Sequence, residues 1–176
     1  MKKVTVVING VGGCGKDTLI EELHEYYNVR NVSSITPIKE IAKIIGWKGT
    51  KDDKSRKFLS DLKALTTEFN EYPLRYILNE QEQFLSSDED IMFVHIREPE
   101  EIEKFVMNSN GKTLTLLVRP RAELQNKVYG NHSDDDVENY NYDLVFDNDK
   151  SIEETKEVWL KFVEKNICAN IKRLDK

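Results

Sequence analysis

The chain has 176 residues, a net charge of −6 and 33% charged residues, which fits one domain with a buried core and helices that expose charged faces. The acidic balance argues against a nucleic-acid polymer or a membrane as partner, and no apolar run approaches the roughly 18 residues of a membrane span. The start of the chain lacks the apolar segment of a signal peptide, and its two cysteines lie far apart. We therefore expect a cytoplasmic protein without a structural disulfide.

The first element is an apolar, β-branched run from Val4 to Ile8, followed by a glycine-rich turn and a helical pattern. The stretch from Gly10 to Lys16 matches the phosphate-loop spacing G-x-x-x-x-G-K, except that Asp17 stands where Ser or Thr is usual and Thr18 follows. Glycines let backbone N–H groups converge on an anion, and the helix N-terminus and the lysine add positive charge. The alternative is a glycine turn with an exposed lysine. We predict an ATP site formed by Gly10, Gly12, Gly13, Cys14, Gly15, Lys16, Asp17 and Thr18.

The rest of the chain alternates between strand and helix patterns. Strand patterns cover residues 31–35, 91–96, 113–118 and 142–146, with helical patterns between them and after the last. The helical stretch 36–86 is too long for a simple crossover. We interpret it as an inserted, acceptor-binding region. The whole pattern predicts one α/β domain, residues 1–176, with a three-layer P-loop fold and a five-stranded parallel sheet.

Local signals mark where the helices of this inserted region begin and which face they bury. Thr36 before Pro37 predicts a helix cap, and residues 50–53 predict a capping box that starts at Thr50. Four apolar residues at helical spacing predict the buried face of the long helix: Phe58, Leu62, Leu65 and Phe69.

Arginines follow two of the predicted strands, at the sheet edge where ligands of open α/β folds bind. Arg97 follows the third strand, and Arg119 and Arg121 follow the fourth, while Arg56 and Arg75 lie in the inserted region. Guanidinium groups hold phosphates with two parallel hydrogen bonds, so this distribution predicts a phosphate-lined cleft. Each arginine could instead be a surface ion-pair residue. The segment 119–140 lacks an apolar period, and we predict that it is a lid.

The run Gly15-Lys16-Asp17-Thr18 resembles the loop of nucleoside and deoxynucleoside monophosphate kinases, in which Gly-Lys is commonly followed by Gly or Asp and then Thr. The resemblance is specific over residues 4–23 and extends to the layout of most of the chain. It implies phosphoryl transfer from ATP to a nucleoside or deoxynucleoside monophosphate, with Mg²⁺. The residues that it implies are Lys16, Arg97, Arg119 and Arg121 for catalysis, Thr36, Arg56, Arg75 and Arg97 for the acceptor, Asn148 on the adenine side, and Asp17 and Thr18 for the metal.

The chain departs from this family at the end of the third strand. Such kinases often carry an aspartate there that helps to organise Mg²⁺, whereas this chain has His95 and Ile96. We interpret His95 as a hydrogen-bonded core residue. Two alternatives remain: another small-molecule P-loop kinase, for example one acting on dephospho-coenzyme A, or a nucleotide-binding regulatory protein with little turnover. The missing aspartate favours the regulatory protein, and the set of arginines opposes it. The expected partners are small-molecule nucleotides, with the protein a monomer or a homodimer.

Overall fold

The computed structural model describes residues 3–120, 137–149 and 152–169. A 3-10 turn, Val137–Asn139, precedes the last strand. The other elements, in chain order, are β1 (Val4–Asn9), α1 (Lys16–Leu23), β2 (Val29–Ser33), α2 (Thr36–Ile44), α3 (Asp53–Asn70), α4 (Tyr72–Leu85), β3 (Ile91–His95), α5 (Pro99–Asn108), β4 (Lys112–Pro120), β5 (Leu144–Asn148) and α6 (Ile152–Asn166).

The five strands form one parallel sheet in the order β2-β3-β1-β4-β5, which confirms the predicted fold class. Alternate residues of β1 enter two separate cores: Val6 lies in the cluster that includes Trp159 of α6, and Val7 in the one that includes Phe84 of α4. Helices therefore cover both faces of the sheet, which explains why β1 is apolar on both of its sides. Among the described residues, no helix combines the length and the apolar character needed to cross a bilayer.

Two strands are shifted by two residues from their predicted positions. The last strand pairs with β4 only from Leu144 onward, because the Asp143 carboxylate accepts hydrogen bonds from the Thr115 amide (2.8 Å) and hydroxyl (2.9 Å). The second strand begins at Val29, where the preceding Asn28 carbonyl already accepts the Asp90 amide at 2.8 Å. Both shifts arise from contacts between residues far apart in the sequence.

The caps predicted for two helices are wrong. Helix α2 has Ile35 at its N-cap, without a side-chain cap, and Thr36 is already its first residue. The N-cap of α3 is Asp52, whose carboxylate accepts the Ser55 amide at 2.8 Å. Thr50 bonds the Ser55 hydroxyl instead, at 2.6 Å. A carboxylate three residues before a free amide makes the usual cap interaction, so Asp52 takes the role assigned to Thr50.

The C-terminal half of α3 does not bury the face that its apolar spacing predicts. Leu65 is 63% exposed and Phe69 is 84% exposed. The Lys63 side chain, by contrast, is only 13% exposed, and Thr66 and Thr67 are half-buried. The polar side of this helix therefore faces the protein, an arrangement that local sequence rules do not anticipate and that is typical of functional regions.

Candidate active site

The turn between β1 and α1, which the sequence predicts to bind phosphate, passes close to the ends of β4 and β5. Gly10 has a φ of 149°, and a Cβ there would overlap the Val118 carbonyl oxygen. Gly15 has a φ of 91°, and a Cβ there would lie 2.6 Å from Nδ2 of Asn148. These two glycines let the loop pass close to the ends of β4 and β5. Gly12 and Gly13 face open space, which leaves room for an anion at the loop.

The Lys16 ammonium lies over this loop. Its Nζ donates to the Gly10 carbonyl (2.6 Å) and the Val11 carbonyl (3.2 Å), and it lies 3.3 Å from the sulfur of the buried Cys14. The positive charge is therefore held against the loop, and its contact with the outer phosphates of a nucleotide stays a prediction.

Asn148, at the end of β5, fastens the loop from the other side. Its Nδ2 donates to the Cys14 carbonyl at 2.9 Å, and its Oδ1 accepts the Thr155 hydroxyl at 3.3 Å. The side chain predicted for the adenine side therefore supports the backbone of the phosphate loop. Its contact with a nucleotide stays a prediction.

Asn9, which sequence reasoning missed, links three parts of the site. It is 1% exposed; its Oδ1 accepts the Gly10 amide at 2.8 Å, and its Nδ2 donates to the Arg97 carbonyl at 2.9 Å and the Tyr142 hydroxyl at 2.7 Å. The Tyr142 hydroxyl in turn donates to the Val137 carbonyl at 2.9 Å. One buried amide thus fixes the phosphate loop relative to Arg97. The signal in the sequence is a polar residue at the end of an otherwise apolar strand.

His95 lies next to the start of the loop helix. Its Nε2 is 2.8 Å from the Asn31 side-chain oxygen and 3.6 Å from an Asp17 carboxylate oxygen. Burial lowers its pKa to about 4; Asp17 opposes this shift, and Lys16 and Arg97 add to it. The imidazole is therefore neutral near pH 7, and in the tautomer with its proton on Nε2 it can donate to the Asn31 side-chain oxygen.

The predicted arginines lie in different settings. Arg97 is exposed directly beyond β3, and its carbonyl is held by Asn9. Arg119 lies within β4, where its Nε (3.1 Å) and NH2 (2.9 Å) donate to the two carboxylate oxygens of Glu138, and this pairing raises its pKa. Arg121, like residues 121–136 of the predicted lid, lies outside the described residues.

Three residues predicted to bind the acceptor lie in the inserted region. The Arg56 side chain is 72% exposed on α3 and lies 3.6 Å from the Asp53 carboxylate. Arg75 is exposed on α4, and Thr36 is half-buried in the first turn of α2. Their acceptor roles stay predictions.

A partly buried ionic cluster connects α3 to the start of α5, and sequence reasoning missed it. Lys63 Nζ lies 2.7 Å from a carboxylate oxygen of Glu98 and 2.7 Å from one of Glu101. Burial raises the pKa of both carboxyls, but Lys63 and the hydrogen bonds that Glu98 accepts lower the pKa of Glu98 to about 2. The pKa of Glu101 rises to about 7, because burial and the charge of Glu98 outweigh Lys63. The two carboxyls that share the Lys63 cation therefore lose their protons at different pH values.

Several solved structures share this architecture, although their sequences are very different. No protein-family model and no curated protein matches the chain. Among solved structures, it is similar to the Deinococcus radiodurans tunicamycin resistance protein (12% identity, 99% of this chain and 100% of that chain, TM-score 0.57). It is also similar to a putative kinase from Chloroflexus aurantiacus (8% identity, 96% of this chain and 97% of that chain, TM-score 0.52). A third similar structure is a sugar kinase from Janibacter sp. HTCC2649 (13% identity, 96% of this chain and 98% of that chain, TM-score 0.52).

The fold is that of P-loop kinases. At these identities the likeness concerns the fold alone, and the relatives differ in what their names describe. The phosphate loop of this P-loop kinase fold begins at the carboxyl end of the central strand, β1, and Arg97 follows the neighbouring strand. The two thus lie at the same edge of the sheet, where ligands bind in open α/β proteins.

The donor groups of this P-loop kinase fold suit a nucleotide and a hard cation. The loop offers backbone amides, open space at Gly12 and Gly13, and the Lys16 ammonium. Asp17 and Thr18 expose oxygen ligands at the start of α1. Within residues 3–120, 137–149 and 152–169, no three His, Cys, Asp or Glu side chains form a metal-binding group. Mg²⁺ usually takes several of its ligands from phosphate and water oxygens.

Proposed function

We propose that the protein transfers the γ-phosphoryl group of ATP to a nucleoside or deoxynucleoside monophosphate. The observation that supports this most is the bridge made by Asn9, which bonds the Gly10 amide on one side and the Arg97 carbonyl on the other. A loop suited to donor phosphates and an arginine suited to a second phosphate are thereby held together. In the monophosphate kinases that the loop resembles, the residue in the position of Arg97 holds the acceptor phosphate.

Each group has a defined role in this reaction. When ATP binds, the Lys16 ammonium leaves the Gly10 and Val11 carbonyls and bonds the β- and γ-phosphates instead. The backbone amides of the loop donate to oxygens of these phosphates. Arg97 neutralises and aims the acceptor phosphate, whose oxygen attacks the γ-phosphorus. Since that oxygen is already deprotonated, no general base is needed, and the hydrogen-bonded His95 is consistent with this.

Mg²⁺ would be held by Asp17 and Thr18 together with phosphates and water. When bound, such an ion neutralises charge on the β- and γ-phosphates. The Asp17 side chain is 90% exposed, so it can move toward an ion without losing buried contacts.

A second candidate, transfer to an alcohol, is favoured by one observation. His95 is neutral and lies at the end of β3, next to the loop helix. A neutral imidazole can accept the proton that an alcohol loses during phosphorylation, whereas a monophosphate acceptor has no such proton to lose.

An acceptor panel distinguishes these candidates. The protein is mixed with ATP, Mg²⁺ and, separately, ribo- and deoxyribonucleoside monophosphates, sugars, sugar acids and dephospho-coenzyme A, and ADP formation is followed. We expect turnover with at least one monophosphate and none with the alcohols, and loss of it in Lys16→Ala but not in Lys54→Ala, which removes an exposed lysine of α3. Turnover of an alcohol alone would favour the second candidate. Nucleotide binding without any turnover would indicate a regulatory protein.

A further inference from the structure

One side chain of α3, Lys63, ties the inserted region to the turn that carries Arg97. Its ammonium lies 2.7 Å from a carboxylate oxygen of Glu98, the residue after Arg97, and 2.7 Å from one of Glu101, near the start of α5. Helix α3 belongs to the segment that the sequence predicts to bind the acceptor. The contact therefore joins two parts of the predicted acceptor site.

The backbone around Arg97 is held on both sides. Arg97 lies in the short connection between β3 and α5. Its carbonyl accepts the Asn9 side-chain amide at 2.9 Å, and Ile96 before it is 1% exposed. Glu98 after it bonds Lys63. The position of Arg97 relative to the inserted region thus depends on Lys63.

Two ion pairs give the direction of α3 relative to α5. Lys63 meets carboxylates at the start of α5, whereas Glu71, just after the end of α3, meets Lys104 further along α5 at 2.7 Å. The two helices therefore run in the same direction. The part of α3 before Lys63 leads away from α5, on the side where the Arg97 turn lies.

Arg56 lies in that part of α3, on the same side of the helix as Lys63. The two residues are seven positions apart, which is about two turns and about 10 Å along the helix axis. The Lys63 side chain is 13% exposed, but the Arg56 side chain is 72% exposed. The protein surface that covers Lys63 therefore ends before Arg56. The Asp53 carboxylate, 3.6 Å away, is exposed too, so a phosphate can replace it at little cost.

Stability alone is a poor explanation of the Lys63 cluster. Withdrawing an ammonium and two carboxylates from water costs desolvation energy, and apolar residues in their place are often as stable. The same helix leaves Leu65 63% exposed and Phe69 84% exposed. A lysine bonded to two carboxylates does, however, fix the position of its helix, because sliding the helix would break both bonds.

We propose that Lys63 is a positioning residue of the acceptor site, which holds α3 on the Arg97 turn so that Arg56 and Arg97 reach the same phosphate. The proposal rests on the proposed function, because it concerns the acceptor of that reaction. Lys63 does not touch the acceptor; it acts through Glu98 and Glu101 and sets the separation of the two arginines. Two guanidinium groups on one phosphate neutralise its charge and fix its orientation before the attack.

The substitution Lys63→Met tests the proposal by kinetics, with the monophosphate that the acceptor panel identifies. We expect kcat/KM for this acceptor to fall by about 10- to 150-fold, the range for one lost charge-assisted hydrogen bond, and the affinity for ATP to stay within about twofold. Lys57→Met is the matched control, because Lys57 is an exposed lysine of the same helix that pairs with Asp61. Lys63→Arg should restore part of the loss, since a guanidinium also bonds carboxylates. An acceptor kcat/KM in Lys63→Met equal to that of the wild type would overturn the proposal.

A double-mutant cycle separates positioning from a general loss of stability. If Lys63 places Arg56 at the phosphate, Arg56→Met should lower the acceptor kcat/KM several-fold in the wild type and hardly at all in the Lys63→Met background. An equal effect of Arg56→Met in both backgrounds would refute the positioning role. Should Lys63→Met not fold, Glu98→Gln provides the same cycle, because Lys63 then keeps Glu101 as its partner.

Binding measurements distinguish this inference from the proposed function. If no monophosphate is phosphorylated, the proposed function fails, and calorimetry with AMP, dCMP and dTMP in the presence of a non-hydrolysable ATP analogue still tests Lys63. Weaker monophosphate binding in Lys63→Met than in Lys57→Met would support the positioning role. Equal binding in the two variants, or no monophosphate binding to the wild type, would overturn it. Monophosphate turnover that Lys63→Met leaves unchanged would keep the function and remove the inference.

Discussion

Replacing Asn9 by alanine should loosen the site and lower the stability of the protein. The side chain is 1% exposed, and its loss removes the hydrogen bonds that it makes with the Gly10 amide and the Arg97 carbonyl. The Tyr142 hydroxyl keeps its bond to the Val137 carbonyl. The bond to the Gly10 amide is buried, and at about 1–3 kcal/mol for one unsatisfied buried group the free energy of unfolding should fall by roughly 1–3 kcal/mol. The bond to the Arg97 carbonyl is only partly buried, so water can replace it there.

The assay combines urea unfolding with steady-state kinetics. Asn70→Ala, at an exposed position, is the control for replacing an asparagine by alanine. Tyr142→Phe leaves Asn9 in place and removes two bonds of the same network, the one from Asn9 and the one to the Val137 carbonyl. We expect Tyr142→Phe to fold and to show weaker acceptor kinetics than the wild type, because Asn9 loses part of what orients it. Wild-type stability in Asn9→Ala would refute the network. Wild-type kinetics in Tyr142→Phe would show that the network does not orient Arg97.

Three further predictions follow from individual side chains. Lys16→Ala should weaken ATP binding by about 10- to 150-fold, which corresponds to the loss of one charge-assisted hydrogen bond. An unchanged ATP affinity in calorimetry would contradict the assignment of the loop. Arg97→Met should lower kcat/KM for the acceptor by about 10- to 150-fold and leave the affinity for ATP within about twofold of the wild type. Lys161→Met on α6 is the control. An effect on ATP affinity alone would place Arg97 at the donor side. The folded pKa of Glu101, about 7, lies above its ordinary value of 4.5, so the free energy of unfolding should decrease as pH rises between these values. Urea unfolding of Glu101→Gln at several pH values should lack this decrease, and a decrease equal to that of the wild type would show that another group causes it.

The parts of the fold that could be predicted depend on local patterns. The β1–loop–α1 unit follows from an apolar run, a glycine spacing and a helical period within about twenty residues, and the structure has all three there. The alternation of strands and helices likewise predicts the parallel sheet, because parallel strands need crossover connections.

The features that sequence reasoning missed depend on distant contacts. Asn9 meets Tyr142 across 133 positions, and Lys63 meets Glu98 and Glu101 across 35 and 38. The same ion pairs turn Lys63 inward, which the apolar spacing around Leu65 does not indicate. Helical spacing reports which residues share a face, but the tertiary partners decide which face is buried.

The most direct test of the account follows the transferred phosphoryl group itself. Phosphorus NMR of the protein with ATP, Mg²⁺ and a mixture of nucleoside monophosphates should show the γ-phosphate signal of ATP disappear while β-phosphate signals of a new nucleoside diphosphate arise alongside ADP, and Lys16→Ala should abolish both changes. If ATP disappears with release of inorganic phosphate only, or if a phosphate ester of an added alcohol forms instead, the protein is not a monophosphate kinase.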